Sequence, residues 1–156
     1  MSDKVYLTHE GYKKLKDELD HLKKVERRQI AQQIKEAREQ GDLSENAEYD
    51  AAKEKQARNE YRIHMLQEKL SLVEIIKIGK GDSKEVVVGS SVELENLNDK
   101  TKLTYTLVDA SEADFGSGKI SISSPVAQGL LGHKQGEEVE IVIPAGILKF
   151  KIISIF

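Results

Sequence analysis

Arg38-Glu39-Gln40-Gly41-Asp42-Leu43-Ser44-Glu45-Asn46-Ala47-Glu48-Tyr49 is the stretch on which the reading of this chain turns. Gly41 offers a helix stop, because a residue without Cβ enters the left-handed conformation that ends helices. Asp42-Leu43-Ser44-Glu45 then reads as a new start, with the spacing of a capping box. Upstream, Tyr12, Leu15, Leu19 and Leu22 follow the 3,4,3 spacing of one buried helical stripe, and Val25, Ile30, Ile34 and Ala37 continue it with some drift. Downstream, a second stripe runs through Ala47, Ala51, Ile63, Leu66, Leu70 and Val73. Facing positions in an antiparallel hairpin have a constant index sum. The numbers of Leu15 and Val73, Leu22 and Leu66, Val25 and Ile63, and Ala37 and Ala51 each add to 88, and those of Leu19 and Leu70 to 89. Half of 88 falls on Ser44, inside the quoted stretch. The sequence therefore predicts an antiparallel helical hairpin over about residues 9–75, turning within 41–46.

Each arm would hold roughly 30 residues and extend ~45 Å at ~1.5 Å per residue. Large aliphatic pairs at the open end would bury most of the apolar area, and the pairs shrink to alanine toward the turn. Such a slender tip suits a probe better than half of a globule.

The grammar changes past residue 78. Residues 1–78 contain only Gly11 and Gly41, whereas residues 79–156 contain the other nine glycines and both prolines. Two domains follow: 1–78 as the coiled-coil hairpin and 79–156 as a β-rich domain, joined at Ile78-Gly79-Lys80-Gly81-Asp82-Ser83, an α+β fold overall. Strand-like runs are Glu85–Val88, Ser91–Leu97, Lys102–Val108, Lys119–Ser123, Glu138–Ile143 and Leu148–Phe156. The alternation of Val139, Ile141 and Ile143, and of Phe150 and Ile152, fits half-buried antiparallel strands. Ser124-Pro125 is a helix start, with Ser as N-cap and Pro at the first helical position, and Gly132 or Gly136 bounds a short helix Val126–Leu131. A small twisted antiparallel sheet on one short helix is the simplest assembly of these pieces.

Composition removes several functions. In 156 residues, 24 basic side chains nearly offset 27 acidic ones, which argues against a protein that coats DNA wholesale. With no cysteine there is neither a disulfide framework nor a thiolate zinc site. His9, His21, His64 and His133 show no ligand spacing. Apolar runs are too short to span a bilayer, and the N-terminus lacks a signal-peptide core, so a cytoplasmic protein is expected.

The turn supports two readings. In one, Asp42 accepts a backbone N–H, Glu45 reaches back, and the helix dipole favours both acids. In the other, two carboxylates, the Ser44 hydroxyl and Asn46 at the end of a thin rod form an oxygen-rich site suited to Mg²⁺. Two carboxylates are an incomplete shell for that ion, so a partner would supply the rest.

Glu39-Gln40-Gly41-Asp42-Leu43-Ser44-Glu45-Asn46-Ala47-Glu48-Tyr49-Asp50-Ala51-Ala52-Lys53 resembles the signature of bacterial Gre-type transcript cleavage factors. The opening Leu7-Thr8-His9-Glu10-Gly11-Tyr12-Lys13-Lys14-Leu15 is similar to the family's start, and Ser124-Pro125-Val126-Ala127-Gln128-Gly129-Leu130-Leu131-Gly132 to its C-terminal motif. The resemblance spans nearly the whole chain. It implies a hairpin that enters the secondary channel of RNA polymerase and an FKBP-like C-terminal domain that docks at the channel entrance. It further implies that Asp42 and Glu45 help hold a second Mg²⁺, shared with the polymerase, when backtracking has displaced the nascent RNA 3′ end. The chain would then activate the polymerase's own cleavage and would not be an enzyme by itself. DNA would be met only within the elongation complex; a monomer without membrane association is expected. The hairpin's 16 basic and 16 acidic residues lean toward the A type of the family.

Arg38 and Lys53, two turns or less from the cap, either contact phosphates of the extruded RNA or lie on an ordinary solvated face. Ser44, Asn46 and Tyr49 fit the family pattern, Asn46 as a shaper of the turn and Tyr49 as a packing ring. Ser124, Pro125, Gly129, Leu130, Leu131 and Gly132 either form a plain capped helix or the polymerase-docking surface. Three rival functions stay in view. A prolyl isomerase would need an aromatic-lined pocket, and the second half holds only Tyr105, Phe115, Phe150 and Phe156. A prefoldin-like chaperone would need apolar tips, and here Leu43 stands alone. An inhibitory Gre homologue would depart from the Asp-x-x-Glu spacing, which this chain keeps.

Overall fold

The computed structural model describes residues 4–41, 46–78 and 84–156. After a short strand β1 (Val5–Leu7), helix α1 (His9–His21) begins under an N-cap: the Thr8 hydroxyl accepts from the Gly11 N–H at 3.1 Å. The Glu112 carboxylate in turn accepts from the Thr8 N–H at 2.9 Å and from the Thr8 hydroxyl. Gly11 is required here, since a Cβ would collide with the Glu112 side chain.

The first arm continues without a break through a π-helical turn, Leu22–Glu26, into α2 (Arg27–Glu39). The second arm is one helix, α3 (Ala47–Ser71). The bonds between the arms show the antiparallel sense, from Glu18 with Arg62 through Leu22 with Asn59 to Ala37 with Asn46, and Arg27 also pairs with Glu60. The hairpin expected from the index sum is present. Its phase, however, differs in two places. Val25 is 39% exposed, because the π turn inserts extra chain and rotates this residue out of the seam. On α3 the buried positions are Ala52, Asn59, Ile63 and Leu66, while Ala47 and Ala51 face solvent. Asn59, a polar residue, is buried in the seam between Ala52 and Ile63, so apolar spacing alone does not phase the stripe there. The Asn59 amide donates to the Leu22 carbonyl at 3.2 Å, at the start of the π turn. A polar residue in such a seam fixes register at some cost in stability.

A second unit, formed by Lys4–Gly11 with Glu74–Phe156, has its own core. The contacts thus group both flanks of the hairpin with the β-rich part. Strand β2 (Val73–Ile75) pairs with β1 in a two-stranded sheet, extended by the Ile76 N–H donating to the Leu7 carbonyl at 2.8 Å. Neither strand was legible, since three residues carry too little alternation to show.

The main sheet has the order β5-β4-β3-β7-β6, from β3 (Ser91–Asn96), β4 (Lys102–Val108), β5 (Lys119–Ser121), β6 (Glu138–Ile143) and β7 (Gly146–Ile155). Three pairings are antiparallel; β4 and β5 run parallel, which corrects the all-antiparallel expectation. Two 3₁₀ turns, Ala110–Glu112 and Phe115–Ser117, lie in the β4–β5 connection that permits this. Glu85–Val88 forms no strand; Glu85 makes an isolated bridge to Lys134, and Val86 is buried. Helix α4 (Pro125–Leu130) packs on β6, with Ser124 as N-cap and Pro125 at its start, as the sequence indicates. Fold class is α+β, a helical hairpin and a curled sheet with one short helix. Among the described residues, no helix is long and apolar enough to cross a membrane.

Candidate functional site at the hairpin turn

The first arm closes at Gln40, whose N–H donates to the Ala37 carbonyl at 3.3 Å. Gly41 follows at φ 117°, a conformation side chains with a Cβ rarely adopt, so glycine is needed at this stop. Asp42, Leu43, Ser44 and Glu45 lie outside the described residues. Asn46 is in extended conformation, and α3 begins at Ala47.

Asn46 acts in two directions. Its side-chain oxygen accepts from the Tyr49 N–H at 3.0 Å, capping α3. Its side-chain nitrogen donates to the Ala37 carbonyl at 2.5 Å, across to the other arm. One residue further along, the Arg38 guanidinium lies 6.0 Å from the centre of the Tyr49 ring, within cation–π range. Arg38, Asn46 and Tyr49 are therefore brought together beneath the turn. Lys53 is not: its ammonium donates to Gln56 at 3.0 Å on an exposed face. The seam at this level is narrow, with Ala37 and Ala52 both buried. Among the described residues, no group of three or more His, Asp or Glu side chains is placed to hold a metal.

The residues singled out for docking separate into two kinds. Leu130 is fully buried in the sheet's core and has no surface to offer. Gly129 is a packing position, where a Cβ would stand 2.6 Å from Cγ1 of Ile141 on β6. Ser124 is occupied as a cap, accepting from the Ala127 N–H at 3.3 Å and donating to the Ser121 carbonyl at 2.7 Å. Pro125 and Gly132 are exposed and Leu131 half-buried. Leu131 and Gly132 border a shallow, mostly apolar groove with Tyr6, Ile76 and Val86–Val88, in which Tyr6 supplies the single aromatic ring.

Two family models account for the chain. The one described as transcription elongation factor, N-terminal, matches residues 5–75; the C-terminal model of the GreA/GreB transcription elongation factors matches residues 81–156. The chain belongs to the GreA/GreB transcription elongation factor family. It is 49% identical over 156 residues to a protein named transcription elongation factor GreA from Christiangramia forsetii, covering 100% of this chain and 99% of that one. It is 46% identical to the protein of that name from Syntrophotalea carbinolica, covering 99% and 98%. Among solved structures, the GreA factor homolog 1 (Gfh1) protein of Thermus thermophilus is 32% identical, with 99% of each chain covered and a TM-score of 0.44.

In this family member the bonds among Arg38, Asn46 and Tyr49 leave no mark in the sequence. The sequence reading gives the cap to Asp42 and makes Asn46 a shaper of the turn; Asn46 is in fact the N-cap of α3. Its second bond, to Ala37, joins positions nine residues apart through a turn, and no local pattern announces it. Asn59 was missed for a related reason: a lone asparagine among charged residues looks like helix surface.

Proposed function

We propose that this GreA/GreB-family chain restarts backtracked bacterial RNA polymerase by stimulating the polymerase's own endonucleolytic cleavage of the nascent RNA 3′ end. The observation that carries the reading is where the arms stop. Helix α2 ends at Glu39 and α3 begins at Ala47, so Asp42-Leu43-Ser44-Glu45 forms the connection at the hairpin's narrow end. Two carboxylates there are not needed as the cap of α3, because Asn46 already fills that role. That leaves Asp42 and Glu45 available for chemistry.

The donor set suits the ion. Carboxylate and hydroxyl oxygens are hard ligands that match Mg²⁺, and two carboxylates leave most of its shell to water and a partner. Asp42 and Glu45 would hold the ion jointly with the polymerase, and when bound it supplies a more acidic water and neutralises charge on the phosphate. The chain's own residues deliver these oxygens and accept a hydrogen bond that orients the attacking water. Arg38 and Lys53 would add positive potential near the extruded RNA, Arg38 while stacked on Tyr49. Pro125, Leu131 and Gly132 would meet the polymerase at the channel entrance. The protein is on this reading an activator, it encounters DNA only in the elongation complex, and it works in the cytoplasm with the polymerase.

The test is RNA cleavage in halted polymerase complexes. Asp42→Asn and Glu45→Gln should each lower stimulated cleavage by on the order of 100-fold or more. Their thermal stability should change by under ~1 kcal/mol, since these residues do not cap α3. Both variants should still compete with the unmodified protein for polymerase. Full rescue by Asp42→Asn at saturating protein would sink the metal role.

A further inference from the structure

We infer that the first arm of the hairpin has two registers, distinguished by where its π turn sits, and that Asn59 and Glu60 of α3 hold the turn at Leu22–Glu26. The device lies within the helical unit and is independent of any chemistry at the hairpin's end.

A π turn inserts one residue, which can be stored anywhere between two anchored parts of a helix. The anchored parts here are Leu15 on α1 and Ile30 on α2, both buried in the seam. Apolar spacing favours a later position than the one observed. Leu22 stands seven residues past Leu15 and Val25 three past Leu22, so the three share one face of an unbroken helix. Ile30 then follows five residues after Val25, which is the step of a π turn. With the inserted residue stored there, the Val25 carbonyl would take the Ile30 N–H and the Val25 side chain would enter the seam. Leu15 and Ile30 would both keep their places. The turn lies instead at Leu22–Glu26, and Val25 is left 39% exposed.

What opposes that burial is polar and comes from two consecutive residues of α3. At the start of the turn, the Leu22 carbonyl accepts the Arg27 N–H and, at 3.2 Å, the Asn59 side-chain amide. Just past its end, the Arg27 guanidinium donates two bonds of 2.8 Å to the Glu60 carboxylate. Moving the turn would send the Leu22 carbonyl back to the Glu26 N–H and draw Arg27 off Glu60. The Asn59 amide, in a side chain only 9% exposed, would lose its partner with little water to replace it. One valine, one amide bond and one exposed ion pair are each modest and similar in size, so a single substitution can reverse the balance. Packing does not block the movement. A groove of about 350 Å³ is bordered by Glu26, Ile30 and Asn59 at this level.

Thiol reactivity reads the register, because the chain has no cysteine of its own. The reporters are Val25→Cys and Glu26→Cys, made in separate proteins and labelled with a maleimide. In the present register position 25 is exposed and position 26 half-buried; in the other they exchange. Asn59→Leu removes the amide and offers Val25 an apolar neighbour. It should slow labelling in Val25→Cys on the order of 10-fold and speed it in Glu26→Cys, as a shift of population between registers requires. Glu60→Ala, at an exposed position, should move both rates in the same directions by about 3-fold. Helical circular dichroism should stay unchanged, since the inserted residue is moved and no helix is lost. Should Asn59→Leu lose helix, Glu60→Ala decides. Unchanged labelling in Glu60→Ala and in a folded Asn59→Leu would overturn the inference. So would both reporters speeding up together in Glu60→Ala, which would be fraying of the arm and no change of register.

Discussion

In the β-rich unit, Val92 and Leu94 on β3, Leu107 on β4, Phe150 and Ile152 on β7 and Leu130 on α4 meet in one cluster, each touched from several sides. The hairpin's buried positions instead stand in single file: Leu15, Ile30 and Ala37 on one arm face Ala52, Asn59, Ile63 and Leu66 on the other. A side chain in the cluster is enclosed by elements distant in sequence; one in the file has partners only across the seam. Burial alone therefore specifies the sheet, while the hairpin relies on polar cross-arm bonds to fix which residue faces which. The Arg27–Glu60 and Arg62–Glu18 bridges, the Asn59 bond to Leu22 and the Asn46 bond to Ala37 form that set.

The comparison breaks most readily in the cluster. Leu94→Ala, on the central strand and fully buried, should destabilise the β-rich unit by about 3 kcal/mol, with Ile30→Ala in the hairpin costing less, about 2 kcal/mol. Denaturant unfolding of both variants measures the pair, and equal losses would show that the seam is packed as tightly as the cluster.

Asn59→Ala sharpens the second half of the contrast. Removing the amide leaves the Leu22 carbonyl with only the Arg27 N–H, and about 1 kcal/mol should be lost. Helical circular dichroism on urea titration reads this. No loss would mean that the π turn holds its register unaided.

The smallest effect lies at the seam's edge. Two bonds from the Arg27 guanidinium, at 2.8 Å each, hold the Glu60 carboxyl below the ordinary carboxylate range. The folded state thus binds its proton less readily than the unfolded chain. The stabilisation is complete above the unfolded pKa and disappears as pH falls through the folded one. Between about pH 7 and about pH 3 the unmodified protein should lose ~0.5 kcal/mol more than Glu60→Gln, a modest figure because the pair is exposed. Parallel stability–pH curves for the two proteins would show that the bridge contributes nothing.

What the sequence made legible follows the same divide. Strong periodicity and Gly41 located the hairpin and its turn, because apolar spacing is the physics that holds the arms. The five main strands and the capped helix at Ser124-Pro125 were legible through alternation and turn chemistry. Three kinds of feature were not. The parallel β4–β5 pairing depends on where a connection folds, and β1 and β2 are too short to show a period. The Asn46 bond to Ala37 and the Asn59 bond to Leu22 are polar contacts made across the hairpin, which leave no periodic mark.

The π turn gives the hairpin an unequal count. On α3, Ala52, Asn59 and Leu66 recur at seven-residue intervals, and Ile30 and Ala37 keep that interval on α2. Leu15 and Ile30 are fifteen apart, two such intervals and one residue over, and the surplus lies where the helix widens between Leu22 and Glu26. Removing that one surplus residue would restore an ordinary helical turn and keep Leu15 in phase with Ile30 and Ala37. A one-residue deletion within α2 would instead carry the rest of that helix around by about 100° and turn Ala37 out of the seam. Within the first arm, the widened turn is where the surplus residue of the seven-residue spacing is absorbed.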